Sequence, residues 1–241
     1  MTSTTPILVG LDLDSAEEAV RMARDLAPHV GGFKVGLGLL HGPGPATVGA
    51  LAELGLPVFA DAKLHDIPSQ VEAAARRLGR WGARWVTAHV GGGDAMLVAA
   101  VSGLADGSGG TAGVLGVTVL TSLDAGALAA IGITSTPGRL VSRMARVAAR
   151  TGCEGVVCSP QEIGVVADVA PGLLKVIPGI RPVPGETADD QARVATPREA
   201  VRRGADWLVI GRPITRAPDP VAAAAAIAAD LAEFRGAAVQ P

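Results

Sequence analysis

Tyrosine is absent from the 241 residues, and aromatic residues make up only 2%. The core must therefore be filled by Ala, Val, Leu and Ile, and a nucleic-acid surface built on stacked rings is not expected. Charge of one sign is also missing. The 21 Lys and Arg stand against 23 Asp and Glu, a net charge of −2, so no basic stripe offers a track for a phosphate backbone. Apolar runs are short and broken by Gly, Pro or charge, well below the ~18 residues that suggest a membrane span. The opening residues Met1–Pro6 lack the basic stretch of a secretory signal, which makes the cytoplasm the expected compartment. Cys153 and Cys158 are the only cysteines. Their spacing matches no zinc pattern, and in a reducing compartment they read as small buried residues rather than a disulfide.

Lysine is almost as scarce, with Lys34, Lys63 and Lys175 the only examples. Every other basic side chain is Arg or His, so the surface charge is carried by arginine. Lysines kept at particular places deserve a chemical reading, because an ammonium can give up a proton near neutral pH and a guanidinium cannot.

What is present is a repeated alternation of short apolar runs and helical runs. Strands are expected at Ile7–Asp12, Gly32–Gly36, Pro57–Ala62, Trp85–His89, Leu115–Leu120, Gly155–Cys158, Leu173–Ile177 and Trp207–Ile210. Their near-continuous apolar character suits strands buried on both faces. Helices are expected between most of them, including Ser15–Ala27, Ser69–Trp81, Arg139–Arg150, Pro197–Arg203 and Pro220–Phe234. Asp14-Ser15, Ser159-Pro160 and Thr196-Pro197 read as helix starts. The expected fold is α/β, a (β/α)8 TIM barrel forming one domain over residues 1–241. The alternative, an open doubly wound sheet, lacks a GxGxxG after the first strand. Ser102–Gly113 reads as a loose Gly-rich stretch on the non-catalytic face. Arg181–Ala192, after the seventh strand, reads as a possible lid on the catalytic face.

Barrel chemistry sits where strands end, and charge collects there. Asp12 ends the first strand, Lys34 lies in the second, Asp61 and Lys63 end the third, and His89 ends the fourth. Asp61 and Lys63 are two apart, so strand alternation puts them on one side, while Asp66 must be delivered by the following loop. Ammonium groups held charged by neighbouring carboxylates suit a reaction that develops negative charge on carbon. A Schiff-base lysine needs a neutral amine, which close carboxylates oppose. The plain alternative is that Lys34 and Lys63 are structural partners of Asp61. Lys175 reads as structural. Pro178–Pro182 (PGIRP) and Gly211-Arg212-Pro213 follow the seventh and eighth strands, where barrels commonly bind phosphate. The plain alternative there is two surface arginines beside turn glycines.

At these residues the sequence resembles the orotidine 5′-phosphate decarboxylase family, particularly its bacterial members. The matching segments are Gly10–Asp12, Phe33–Gly36 (FKVG), Asp61–Pro68 (DAKLHDIP), Val117–Ser122 (VTVLTS), Gly155–Ser159 (GVVCS), Pro178–Pro182 and Val209–Thr215 (VIGRPIT). The resemblance implies decarboxylation of orotidine 5′-phosphate to UMP, the last step of de novo pyrimidine nucleotide synthesis, with no metal and no organic cofactor. It implies that Lys63 protonates C6 and that Lys34, Asp61 and Asp66 complete the charged array. Asp12 and Lys34 would contact the ribose, and Thr121 with Ser122 the pyrimidine. Arg181, Gln191, Gly211 and Arg212 would hold the phosphate. It also implies a homodimer in which Asp66, Ile67 and Gln70 serve the neighbouring site. The family commonly has Asn-Thr after Asp-Ile-Pro, where this chain has Ser69-Gln70. A metal-dependent sugar-phosphate barrel enzyme is the alternative within the same fold; such relatives usually carry an acid where Lys34 stands. A non-catalytic phosphate-binding barrel would keep the Gly/Arg loops without needing Lys63. His65 and His89 read as structural, not metal ligands.

Overall fold

A computed structural model describes residues 5–182 and 193–237. In chain order its elements are β1 (Ile7–Leu11), α1 (Ala16–Leu26), β2 (Gly32–Val35), α2 (Leu37–His41), α3 (Ala46–Ala52), β3 (Val58–Leu64), α4 (Pro68–Arg80), β4 (Trp85–His89), α5 (Asp94–Ser108), β5 (Gly113–Val117), α6 (Ala125–Ala130), α7 (Pro137–Arg150), β6 (Gly155–Val157), α8 (Ile163–Val169), β7 (Leu174–Ile177), α9 (Pro197–Arg202), β8 (Trp207–Ile210), α10 (Arg212–Thr215) and α11 (Pro220–Ala237). The strands pair in sequence order, all parallel, and β8 returns to β1. The result is the expected closed (β/α)8 barrel. The strands are mostly apolar on both faces because one side packs on helices and the other on the barrel interior, with Lys34 in β2 and Asp61 and Lys63 in β3 among the exceptions. Leu8, Phe59, Trp85, Leu115 and Val176 form one buried cluster, and Phe59 continues from it to the wall of a cavity. The larger cluster includes Val9, Leu26, Val86, Leu97 and Ile210 and packs strands against helices.

Two of the three expected helix starts are realised. The Ser15 hydroxyl accepts from the Glu18 N–H at 3.1 Å, and Thr196 forms a capping box with Glu199. Ser159-Pro160 instead opens a turn, and α8 begins at Ile163. The Glu162 carboxylate accepts from both the hydroxyl and the N–H of Ser159, which folds the turn back on itself. β5 starts at Gly113 and ends at Val117, two residues earlier at its start and three at its end than the reading Leu115–Leu120, because its register with β4 begins at Trp85↔Gly113.

The expectation of a loose Ser102–Gly113 is also corrected. Residues up to Ser108 belong to α5, which ends on the left-handed Gly109 (φ 64°). The glycines there serve packing. A Cβ at Gly103 would lie 2.2 Å from the Glu72 carbonyl oxygen, and one at Gly107 2.1 Å from that of Arg76. Helices α4 and α5 thus touch backbone to backbone, which no other residue permits. Gly103→Ala should destabilise the protein by ~1–3 kcal/mol through overpacking, read as a lower urea midpoint with an unchanged slope.

Candidate active site

Two acid–base pairs form at the C-terminal mouth of the barrel. Lys34 Nζ lies 2.7 Å from Asp12 Oδ1, and its side chain is 10% exposed. The glycines of the matched segments make room for this pair. A Cβ on Gly36 would stand 2.7 Å from Asp12 Oδ1 and 3.0 Å from Lys34 Nζ, and one on Gly10 3.2 Å from Lys34 Cε. Lys63 Nζ lies 2.6 Å from Asp61 Oδ2. The structural alternative for these lysines thus holds in part. Asp61 is the partner of Lys63, while Lys34 takes Asp12.

The two pairs are held by different backbone. β2 is regular, but β3 is not. Ala60 pairs with Val86 and Leu64 with Ala88, so the β3 side carries two residues more than the β4 side. Lys63 sits in this bulge at φ 47°, the only positive-φ residue other than glycine among the described residues. Simple alternation therefore does not explain why Asp61 and Lys63 share a side; the bulge and the ion pair do. Thr87, which sequence reasoning missed, fills the gap. Its Oγ1 accepts from the Lys63 N–H at 2.9 Å and donates to Asp61 Oδ1 at 2.9 Å. A hydroxyl within a strand that is apolar apart from its terminal His89 was the signal available.

All four charged residues line one cavity of about 460 Å³ with Thr121, Gly179, Arg181, Gly211 and Arg212, a volume within the range of small-molecule sites. Gly179 is left-handed at φ 75°. It lets the loop after β7 turn so that the Arg181 N–H donates to the Ala195 carbonyl at 2.9 Å. Arg212 is the first residue of the short α10, whose cap is Gly211. Short helices at this place in barrels bind phosphate through their N-termini. Thr215 and Arg216 extend the same wall and were not expected from sequence.

Other expected residues lie elsewhere. Asp66, Ile67, Gln70 and Ser122 are exposed and are not among the described residues lining the cavity. The loop after β3 carries Asp66 and Ile67 past the barrel rim, and Gln70 follows in the first turn of α4; Ile67 is 62% exposed and the Asp66 carboxylate accepts the Ile67 N–H at 2.6 Å. Gln191, with the stretch 183–192 of the expected lid, lies outside the described residues. Lys175 is structural as read, pairing with Asp206 at 2.8 Å.

Cys153 and Cys158 are buried and unpaired. Burial pushes the Cys153 thiol up to about 11 and, with the nearby Glu162 charge, the Cys158 thiol up to about 12. Both stay protonated near neutral pH, so Cys158 contributes volume to the cavity wall and no nucleophile. His65 and His89 face each other with ring centroids 5.3 Å apart, and neither lines the cavity. Burial, then the charges of His65 and Lys63, hold His89 below its ordinary value. The folded state therefore prefers neutral His89. Stability is fully present above the ordinary value near 6.5 and declines as pH falls through the lower folded value. His89→Gln should flatten the change in melting temperature between about pH 7.5 and about pH 5 relative to the parent protein.

Comparison with known proteins decides the relationship. A profile of the orotidine 5′-phosphate decarboxylase / HUMPS family matches residues 5–227. The chain belongs to this family. Among its relatives, orotidine 5′-phosphate decarboxylase of Anaeromyxobacter sp. (strain K) is 53% identical, over 96% of this chain and all of that one. The protein of the same name from Thermobifida fusca is 47% identical over 94% of this chain and 95% of its own. Among solved structures, orotidine 5′-phosphate decarboxylase from Lactobacillus acidophilus superposes with a TM-score of 0.82 at 34% identity, covering 95% of this chain and 99% of that one. The family resemblance read from FKVG, DAKLHDIP, PGIRP and VIGRPIT thus stands. Each of these segments contributes residues to one cavity, whereas the Leu64–Pro68 end of DAKLHDIP does not line it. Among the described residues no three His, Cys, Asp or Glu side chains are grouped to hold a metal. No helix among them is long and apolar enough to cross a membrane.

Proposed function

We propose that the chain decarboxylates orotidine 5′-phosphate to UMP without a cofactor, closing de novo pyrimidine nucleotide synthesis in the cytoplasm. One observation carries the reading: the Lys63 ammonium faces the same cavity as the two Gly/Arg loops at Gly179–Arg181 and Gly211-Arg212. A phosphate seated on those loops directs the rest of a nucleotide toward the two acid–base pairs. The relatives' names supply the substrate.

In the proposed step the bond from C6 to the carboxylate breaks, carbon dioxide leaves, and the electron pair stays on C6. Lys63 Nζ stabilises that charge and then donates its proton to C6. Asp61 keeps the ammonium charged and aimed. Lys34, fixed by Asp12, reaches the ribose and completes the array. Thr121 meets the pyrimidine, with Ser122 beside it. Arg181 and Arg212, with Gly211 and Gln191, hold the phosphate, and such remote binding can stabilise the transition state at the base. A divalent cation would need carboxylates facing one another, whereas Asp12 and Asp61 each face an ammonium.

The exposed Asp66, Ile67 and Gln70 belong in this reading to a homodimer, where they complete the partner's cavity. Asp66 then becomes the last member of the charged array. Incubating the purified protein with orotidine 5′-phosphate and EDTA, and following pyrimidine absorbance, tests the function. Turnover indifferent to EDTA is the expected result. No turnover, together with metal-dependent conversion of a keto-sugar phosphate, would place the chain with the metal-dependent sugar-phosphate enzymes instead.

A further inference from the structure

We infer that Thr87 is a positioning residue for the Lys63–Asp61 pair, holding Lys63 in the left-handed backbone conformation that aims its ammonium. The inference rests on the decarboxylase reading of the cavity. Left-handed backbone is disfavoured for any residue carrying a Cβ and persists only where its surroundings enforce it. At Lys63 the enforcing contact is identifiable. The bulge in β3 removes the regular ladder between Ala60 and Leu64, and the Lys63 N–H finds the Thr87 hydroxyl at 2.9 Å instead.

The hydroxyl has one proton and two lone pairs. The Lys63 N–H can only donate and the Asp61 carboxylate accepts, so the single proton is committed to Asp61 Oδ1 at 2.9 Å. Asp61 Oδ2 remains for Lys63 Nζ at 2.6 Å. One fully buried side chain thereby sets both the backbone of the lysine and the orientation of its counter-ion. Thr87 itself is not among the residues lining the cavity, so it acts through the other two.

Thr87→Val keeps the shape and removes both bonds, and Thr87→Ser keeps the hydroxyl. Each variant would be assayed with orotidine 5′-phosphate, titrated with UMP by calorimetry, melted, and crystallised. In Thr87→Val, kcat should fall ~10- to 100-fold, the scale of hydrogen bonds to a charged group. KM and the UMP Kd should stay within ~3-fold, since uniform binding is untouched. Thr87→Ser should recover kcat to within ~3-fold of the parent. In the crystal structures Lys63 should leave positive φ in Thr87→Val and retain it in Thr87→Ser. Should Thr87→Val not fold, Thr87→Ala supplies the same comparison.

Parent-like kcat in Thr87→Val, or unchanged positive φ there, overturns the inference. So does a Thr87→Ser variant as slow as Thr87→Val, or a defect confined to melting temperature. If the parent protein does not turn over orotidine 5′-phosphate, the functional reading fails, and the Lys63 backbone conformation still decides the role of Thr87.

Discussion

Replacing Lys63 with alanine should lower kcat for orotidine 5′-phosphate by more than ~10³-fold. Removing one preorganised donor typically costs ~2.7–4 kcal/mol of transition-state stabilisation, or about 10²–10³ in rate. Lys63 is assigned two duties, charge stabilisation at C6 and delivery of the proton, so its loss exceeds that range. The fold should survive. Asp61 keeps its hydrogen bond from Thr87, and its side chain is 16% exposed, open enough to the cavity for water to replace the ammonium. The Gly/Arg loops proposed to hold the phosphate follow β7 and β8, not β3, so the variant should still bind UMP. Steady-state kinetics with a parallel UMP titration check this. A loss of less than tenfold would remove Lys63 from the chemistry.

Asp66→Asn should lower kcat by ~10²-fold or more, because it deletes a charge from the proposed array while preserving shape. Its decisive test is mixing. If Asp66 serves the partner's cavity, a heterodimer of Asp66→Asn and Lys63→Ala chains places both defects in one site and leaves the other intact. Refolding the two inactive proteins together at equal amounts should then restore about a quarter of the parent activity, since half the dimers are mixed and each has one good site. No recovery from mixed dimers would mean that Asp66 acts within its own chain or not at all. The exposure of Asp66 and Ile67 at the rim makes the first result the expected one.

Much of the barrel was legible in the residues. Seven of the eight strands lie within two residues of their expected limits at each end, because a strand buried on both faces writes itself as an uninterrupted apolar run. β5 was displaced because Gly113 lacks an apolar side chain to announce it. The short helices α2, α3, α6 and α10 have four to seven residues, too few for a helical period to emerge. Gly103 and Gly107 misled the reading of α5, since glycine in sequence signals looseness and here permits contact. In the site, Lys34, Asp61 and Lys63 stood out by residue type. Thr87 did not, because one threonine in a strand is ordinary until its neighbour bulges.

By itself the sequence determined the strand–helix alternation, the family, and the scarcity of lysine that marked Lys34 and Lys63. These are properties of local period, composition and motif, readable without a partner in space. Tertiary structure alone decided that Lys34 pairs with Asp12, that Lys63 is left-handed against Thr87, and that Asp66 turns outward from its own cavity. The first two depend on register between adjacent strands whose contacting residues lie 22 and 24 positions apart, the third on the path of the loop after β3, and a two-residue bulge in β3 changes which groups meet without changing the residues that announce them.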